Sequence, residues 1–136
     1  MDKISLEVAG NEFDRWAGAW DIDTSVESMS DDDARSFEAA KRPLIRGLMD
    51  GSFTVNDEGN LDYRLKFTKR DEETTLSLNI DRADILEMDK YKDRQSMHKL
   101  NAYLASLVGM PAKYVSSLDP RDQKRLRGPV LLFLGS

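Results

Sequence analysis

The sequence contains no cysteine and a single histidine, His98, among its 136 residues. Without thiols the chain can form neither disulfides nor thiolate metal sites, and a reducing compartment is its natural setting. The longest apolar run, Val130–Leu134, is far shorter than the roughly 20 residues that span a bilayer. The first residues also lack the apolar stretch of a secretory signal. These absences lead us to expect a protein of the cytoplasm, with no membrane as a partner.

Sequence patterns that support catalysis or metal binding are missing as well. A hydrolytic triad needs a base beside a nucleophile. His98 lies one position off the apolar stripe of a predicted helix, and no serine lies in a Gly-x-Ser-x-Gly sequence. The acidic run Asp31–Asp33 would point its side chains about 100° apart on a helix, so they would not converge on one ion. The glycines form no phosphate-binding loop. We therefore expect no enzyme, no cofactor and no metal.

Charge is distributed unevenly along the chain, whose net charge is −5. Residues 1–40 hold 11 acidic and 3 basic residues, whereas residues 41–136 hold 14 acidic and 17 basic residues. The acidic first third is either a solvated surface, a partner-binding segment, or a segment that docks on the basic remainder. The basic stretch Arg121–Arg127 is interleaved with Asp122 and lacks aromatic residues. Nucleic acid is therefore not the partner that we favour.

The apolar pattern of the first 51 residues predicts a short β-element followed by a helix. Ile4, Leu6 and Val8 alternate with polar residues, which predicts a half-buried strand, paired in a hairpin with residues 22–26. Ser30 is a predicted helix cap. The helix that follows should be divided into two pieces by Pro43 or kinked near Ala40, because proline donates no backbone hydrogen bond, and should end at Gly51.

The rest of the chain predicts an α+β fold with a small antiparallel sheet around residues 53–80 and a helical C-terminal half. Three alternating runs are separated by the turn residues 56–60 and the charged residues 69–73. From Asp81 the apolar period changes from 2 to 3.6. Helices are predicted over residues 81–88, 93–108, 111–118 and 119–127, with Gly128 and Pro129 breaking the last. Their predicted core residues are Leu100, Leu104, Leu107 and Val108.

Two apolar clusters are candidate protein-binding sites. Each belongs to the core or, if exposed, supplies the aromatic or aliphatic anchors that dominate protein interfaces. The end of the chain is the favoured candidate, because the predicted break at Gly128 would separate it from the preceding helix. The two candidate clusters consist of Trp16 and Trp20, and of Val130, Leu131, Leu132, Phe133 and Leu134.

Four segments in the region 49–136 match a known pattern in their order and spacing. They are residues 49–59, 76–89, 104–111, and 114–122 followed by Phe133 and Leu134. The third, Leu104–Pro111, resembles the form leucine, small residue, leucine, x, glycine, x, proline, but has two small residues between its leucines. In these segments the chain resembles the tail assembly chaperones of tailed bacteriophages and Mu-like or P2-like prophages. It departs from that family in lacking a proline before Asp81 and in the basic run that precedes Pro129.

The resemblance implies a non-catalytic protein of virion morphogenesis. Such proteins are thought to bind the helical tape measure protein until tail tube subunits polymerise around it, so the implied partners are the tape measure protein and the tail tube protein. A homo-oligomer is compatible with this role. The alternatives are a structural virion component, such as a tail, neck or baseplate subunit, and a small nucleic-acid-binding regulator. We divide the chain into an acidic β/helical segment, residues 1–48, and a chaperone-like α+β region, residues 49–136, within one compact domain.

Overall fold

Helices flank a three-stranded sheet in the computed structural model, which describes residues 4–69, 74–82 and 96–134. In chain order the elements are α1 (Leu6–Ala19), α2 (Asp31–Asp50), β1 (Phe53–Val55), β2 (Leu61–Arg64), β3 (Thr75–Leu78), α3 (Ser96–Val108), α4 (Ala112–Ser116) and α5 (Pro120–Leu134). Short 3-10 helices at Val26–Ser28 and Ile80–Arg82 connect some of these elements. The predicted helix over 81–88 and the charged turn over 69–73 lie largely outside the described residues.

Helix α1 occupies the place of the predicted N-terminal strand. Ser5 caps it by accepting a hydrogen bond from the backbone N–H of Val8 at 3.2 Å. The predicted strand and its hairpin with residues 22–26 are wrong, because a longer helical stripe outweighs the short alternation and leaves Leu6 exposed. The buried stripe consists of Ala9, Phe13, Trp16, Ala17 and Trp20.

Helix α2 runs without interruption through Pro43. Ser30 accepts a hydrogen bond from the N–H of Asp33 at 3.1 Å, and Gly51 ends the helix with a φ of 86°. Both helix ends were predicted correctly, whereas the predicted interruption at Pro43 is wrong. The reason lies in tertiary packing: α2 contacts α1, β1 and α5, and this burial offsets the hydrogen bond that proline cannot donate.

The strands form one antiparallel sheet in the order β1-β2-β3, as the sequence predicted. Phe53 pairs with Tyr63, and Tyr63 pairs with Leu76, so these three side chains share one face. That face is buried beneath the helices, whereas Thr54 and Ser77 on the opposite face are exposed. The fold is therefore α+β, with helices on one side of a small sheet.

The C-terminal helices confirm most of the predicted core. Leu104, Leu107 and Val108 are buried, and Leu100 packs on the core while remaining partly exposed. Helix α5 continues through Gly128 and Pro129, so the predicted break is wrong. Gly128 lies against α2 so closely that a Cβ atom there would come 3.0 Å from the carbonyl oxygen of Ala40. This close approach buries the last turns of α5 and keeps them helical.

The carboxylate of Asp122 joins α5 to the loop that follows β2. It is fully buried and accepts hydrogen bonds from the hydroxyl of Tyr63 at 2.5 Å and from the N–H and hydroxyl of Thr68, both at 2.6 Å. The backbone N–H groups of Lys66 and Phe67 donate as well. Burial opposes ionisation of Asp122, but these hydrogen bonds outweigh it and hold its pKa below the ordinary value.

Leu104→Ala should lower the free energy of unfolding by roughly 2–5 kcal/mol, because it leaves a cavity in a fully buried part of the core. Urea denaturation measures this change. Met110→Ala is the matched control, since Met110 is 37% exposed and its truncation should matter far less. An unchanged midpoint for Leu104→Ala would contradict the position of α3 described above.

Asp122→Asn should destabilise the protein by roughly 2–4 kcal/mol at pH 7. The NH2 group of asparagine replaces a carboxylate oxygen that accepts hydrogen bonds, and it would face N–H and O–H donors. Since the pKa of Asp122 is lowered in the folded state, its stabilisation is complete above about pH 4 and is lost as the pH falls through the folded pKa. Urea midpoints across this pH range should converge for wild type and Asp122→Asn at low pH. The exposed Asp14→Asn variant should follow the wild type throughout.

Candidate protein-binding groove

The structure places both predicted tryptophan anchors in the core. Trp16 is fully buried and Trp20 is 3% exposed. The indole N–H of Trp20 donates to the Oδ1 atom of Asn60 at 3.0 Å, which satisfies it inside the protein. The hypothesis that these rings form a free binding surface is therefore wrong, because helix α1 turns them towards the sheet and the C-terminal helices.

Most of the predicted apolar end of the chain is also core. Val130 is fully buried, Leu132 is 4% exposed, and the ring of Phe133 packs edge-on against Trp20 at 5.6 Å between centroids. The side chain of Leu134, like that of His98, lies outside the described residues. Leu131 differs from its neighbours, since 46% of it is exposed. Because α5 is continuous, consecutive residues point to different sides, and Leu131 lies at the surface, so its role in protein binding stays a prediction.

Leu131 borders a groove of about 680 Å³ between α2 and α5, which we call the α2–α5 groove. This volume lies within the range of ligand-binding clefts, ~300–1,000 Å³. The residues that line the groove are Asp23, Ser28, Met29, Ser30, Asp33, Ser36, Phe37, Ala39, Ala40, Pro43, Lys124, Gly128, Leu131 and Leu132.

The groove follows from small residues where the two helices face each other. Ser36 and Ala40 are one helical turn apart on α2, as are Ala39 and Pro43, and Gly128 supplies no side chain at all from α5. These small residues form the floor of the groove, and the larger side chains of Met29, Phe37 and Leu131 surround it. The α2 wall was not predicted from the sequence, because the small residues of α2 form a groove only once Gly128 of α5 packs beside them.

The two helices run in opposite directions along the groove. The guanidinium of Arg125 pairs with the carboxylate of Asp50 at 3.0 Å, whereas Gly128 lies level with Ala40. Moving forward along α5 therefore means moving back along α2. Leu131 and Leu132 consequently lie towards Asp33, near the start of α2, and Lys124 lies towards Pro43.

Pro43 interrupts the backbone hydrogen bonding of α2 beside the groove. Proline has no N–H, so the carbonyl of Ala39, four residues earlier, receives no helical hydrogen bond from that position. Ala39 is exposed and lines the groove. The lining mixes apolar side chains, such as those of Met29 and Leu131, with serine, aspartate and lysine side chains. A site of this composition offers a ligand both apolar surface and polar groups that fix its orientation.

A second, smaller cavity of about 250 Å³ lies beside Asp50, Ser52 and Lys66. The carboxylate of Asp50 is paired with two cations: it accepts from Lys66 at 2.8 Å and from Arg125 at 3.0 Å. Burial opposes ionisation of Asp50, but the hydrogen bonds from Lys66, Ser52 and Arg125 hold its pKa well below the ordinary range. We interpret this cluster as the anchor that fixes the first turns of α5, rather than as a binding site.

Within the described ranges 4–69, 74–82 and 96–134, no group of three or more histidine, cysteine, aspartate or glutamate side chains is arranged to hold a metal ion. Within the same ranges no helix is both long and apolar enough to cross a bilayer.

Comparison with other proteins adds no relative: no protein-family model, curated protein or solved structure matches this chain. The resemblance to tail assembly chaperones therefore stays a prediction.

Leu131→Gln should change the free energy of unfolding by less than about 1 kcal/mol, because Leu131 is already half exposed. Val130→Gln is the matched comparison one residue away, and it should cost several kcal/mol, since it buries an amide among apolar side chains. Thermal and urea melts of the two variants measure the difference. Equal losses in both variants would contradict the assignment of Leu131 to the groove and Val130 to the core.

Proposed function

We propose that this protein is a non-catalytic phage tail assembly chaperone that binds the tape measure protein in the cytoplasm of the bacterial host. The tail tube protein is the second partner that we expect in the same assembly. The observation that carries the proposal is the α2–α5 groove, a cleft on the surface with the apolar side chain of Leu131 exposed beside it. A patch of this kind is typical of protein-interaction sites in small domains.

The shape of the groove suits a helical client. A long helical protein exposes apolar stripes before it assembles, and a groove between two helices can receive such a stripe one or two turns at a time. Met29 and Leu131 offer the apolar surface for this contact, whereas Phe37, beside the groove floor, is only 8% exposed. Both walls are firmly held, since α2 and α5 each contribute buried residues to the common core.

The size of the groove favours reversible binding. Its volume accommodates a few apolar side chains, each worth about 1.5–3 kcal/mol when fully buried. The loss of translational and rotational freedom on association cancels much of that gain. Weak binding at each site suits a chaperone, which must release its client when the tail tube subunits polymerise.

A structural subunit of the virion is the alternative function, and the two differ in where the protein ends up. A chaperone leaves before the particle matures, whereas a structural subunit stays. Mass spectrometry of purified mature particles, compared with the lysate of the same infection, should find the protein in the lysate alone. Stoichiometric amounts in the particles would favour the structural role.

Leu131→Gln should abolish co-purification with the co-expressed tape measure protein and reduce the soluble fraction of that client, because it removes the exposed apolar anchor of the groove. Met110→Gln is the control, since Met110 is another exposed apolar residue but does not line the groove. Undiminished capture by Leu131→Gln would mean that the client binds elsewhere.

A further inference from the structure

The two ends of the α2–α5 groove carry opposite charges. Asp23 and Asp33 line the end near Leu131, and both are exposed. Lys124 lines the other end, next to Pro43, and is exposed as well. Asp33 and Pro43 are ten residues apart on α2, which corresponds to about 15 Å along the helix axis.

An amphipathic helix of a partner protein fits this arrangement. Its apolar stripe would cover the floor between Phe37 and Gly128, and its charged residues would meet the carboxylates at one end and the ammonium group at the other. A helix advances ~1.5 Å per residue, so the two charges would lie about ten positions apart in its sequence.

We propose that the α2–α5 groove selects a partner helix with a basic residue at one end of its apolar stripe and an acidic residue about ten positions away at the other. This inference rests on the proposed function and adds the chemistry of the segment that is recognised. The charges fix the position and direction of the helix, while the apolar stripe supplies most of the affinity.

A second copy of the chain fits the groove less well than a single helix. Two grooves placed face to face would meet concave surface to concave surface and leave the floor around Gly128 uncovered. A convex helix fills that floor.

Synthetic peptides of about 15 residues, which span roughly 22 Å as helices, test the proposal. One carries leucines at helical spacing, a lysine near one end and a glutamate about ten positions away; the other has glutamine at both charged positions. Fluorescence anisotropy with the whole protein should find the charged peptide bound about fivefold more tightly, as expected for two solvent-exposed charge pairs.

Charge reversal in the protein gives the decisive comparison. Asp33→Lys and Lys124→Glu should each weaken binding of the charged peptide by about fivefold and leave the glutamine peptide unaffected. The double variant should restore most of the affinity, because the helix can dock in the reverse direction. Asp31→Lys is the matched control: it makes the same charge change in the same turn of α2, but Asp31 does not line the groove.

Several results would overturn the inference. They are equal effects of Asp33→Lys and Asp31→Lys, equal binding of the two peptides, failure of the wild type to bind either peptide, and a self-associating protein that Leu131→Gln dissociates.

The proposed function is judged separately. Capture of the tape measure protein that is lost in Leu131→Gln but retained in Asp33→Lys would support the function and refute the charge preference. Failure of the wild-type protein to capture the tape measure protein would refute the function whatever the peptides do, whereas capture that Leu131→Gln leaves intact would mean that the client binds outside the groove.

Discussion

The contact between Gly128 of α5 and the Ala40 carbonyl of α2 is the constraint on which the rest of the arrangement depends. Without a side chain at position 128, the two helices approach until a Cβ atom there would come 3.0 Å from that oxygen. The same approach brings Val130 and Leu132 into the core and leaves Leu131 outside. Core and groove are therefore opposite sides of one helix pair, and a change that separates the helices would damage both.

Polar anchors at the start of α5 hold this helix pair in register. Asp122 accepts hydrogen bonds from Tyr63, Thr68 and the intervening backbone. Arg125 donates a hydrogen bond to Asp50 at the end of α2. Both carboxylates have lowered pKa values, so both anchors stabilise the ionised form and weaken in acid. The groove walls are thus fixed at one end by charge and further along by close packing, which makes the groove a preformed site.

The sheet and the buried face of α3 could be predicted from the sequence, because turn residues and apolar periodicity act locally there. The same reasoning failed where tertiary packing outweighed local signals. Three alternating residues suggested a strand at Ile4–Val8, but burial of Phe13 and Trp16 required a helix. Pro43 and Pro129 suggested breaks, yet both helices continue because neighbouring elements bury them. The groove could not be predicted, because its walls are 80–100 residues apart in sequence and only the packed fold brings them together.

The central claim, that the client binds in the α2–α5 groove, is tested most directly by methyl NMR of the whole protein during titration with the tape measure protein's helical segments. We expect the methyl signals of Met29 and Leu131 to shift, because both side chains line the groove. The methyl signals of Leu6 and Met110, which are exposed elsewhere on the surface, should stay in place. Shifts at Leu6 or Met110 without shifts at Met29 and Leu131 would contradict the account.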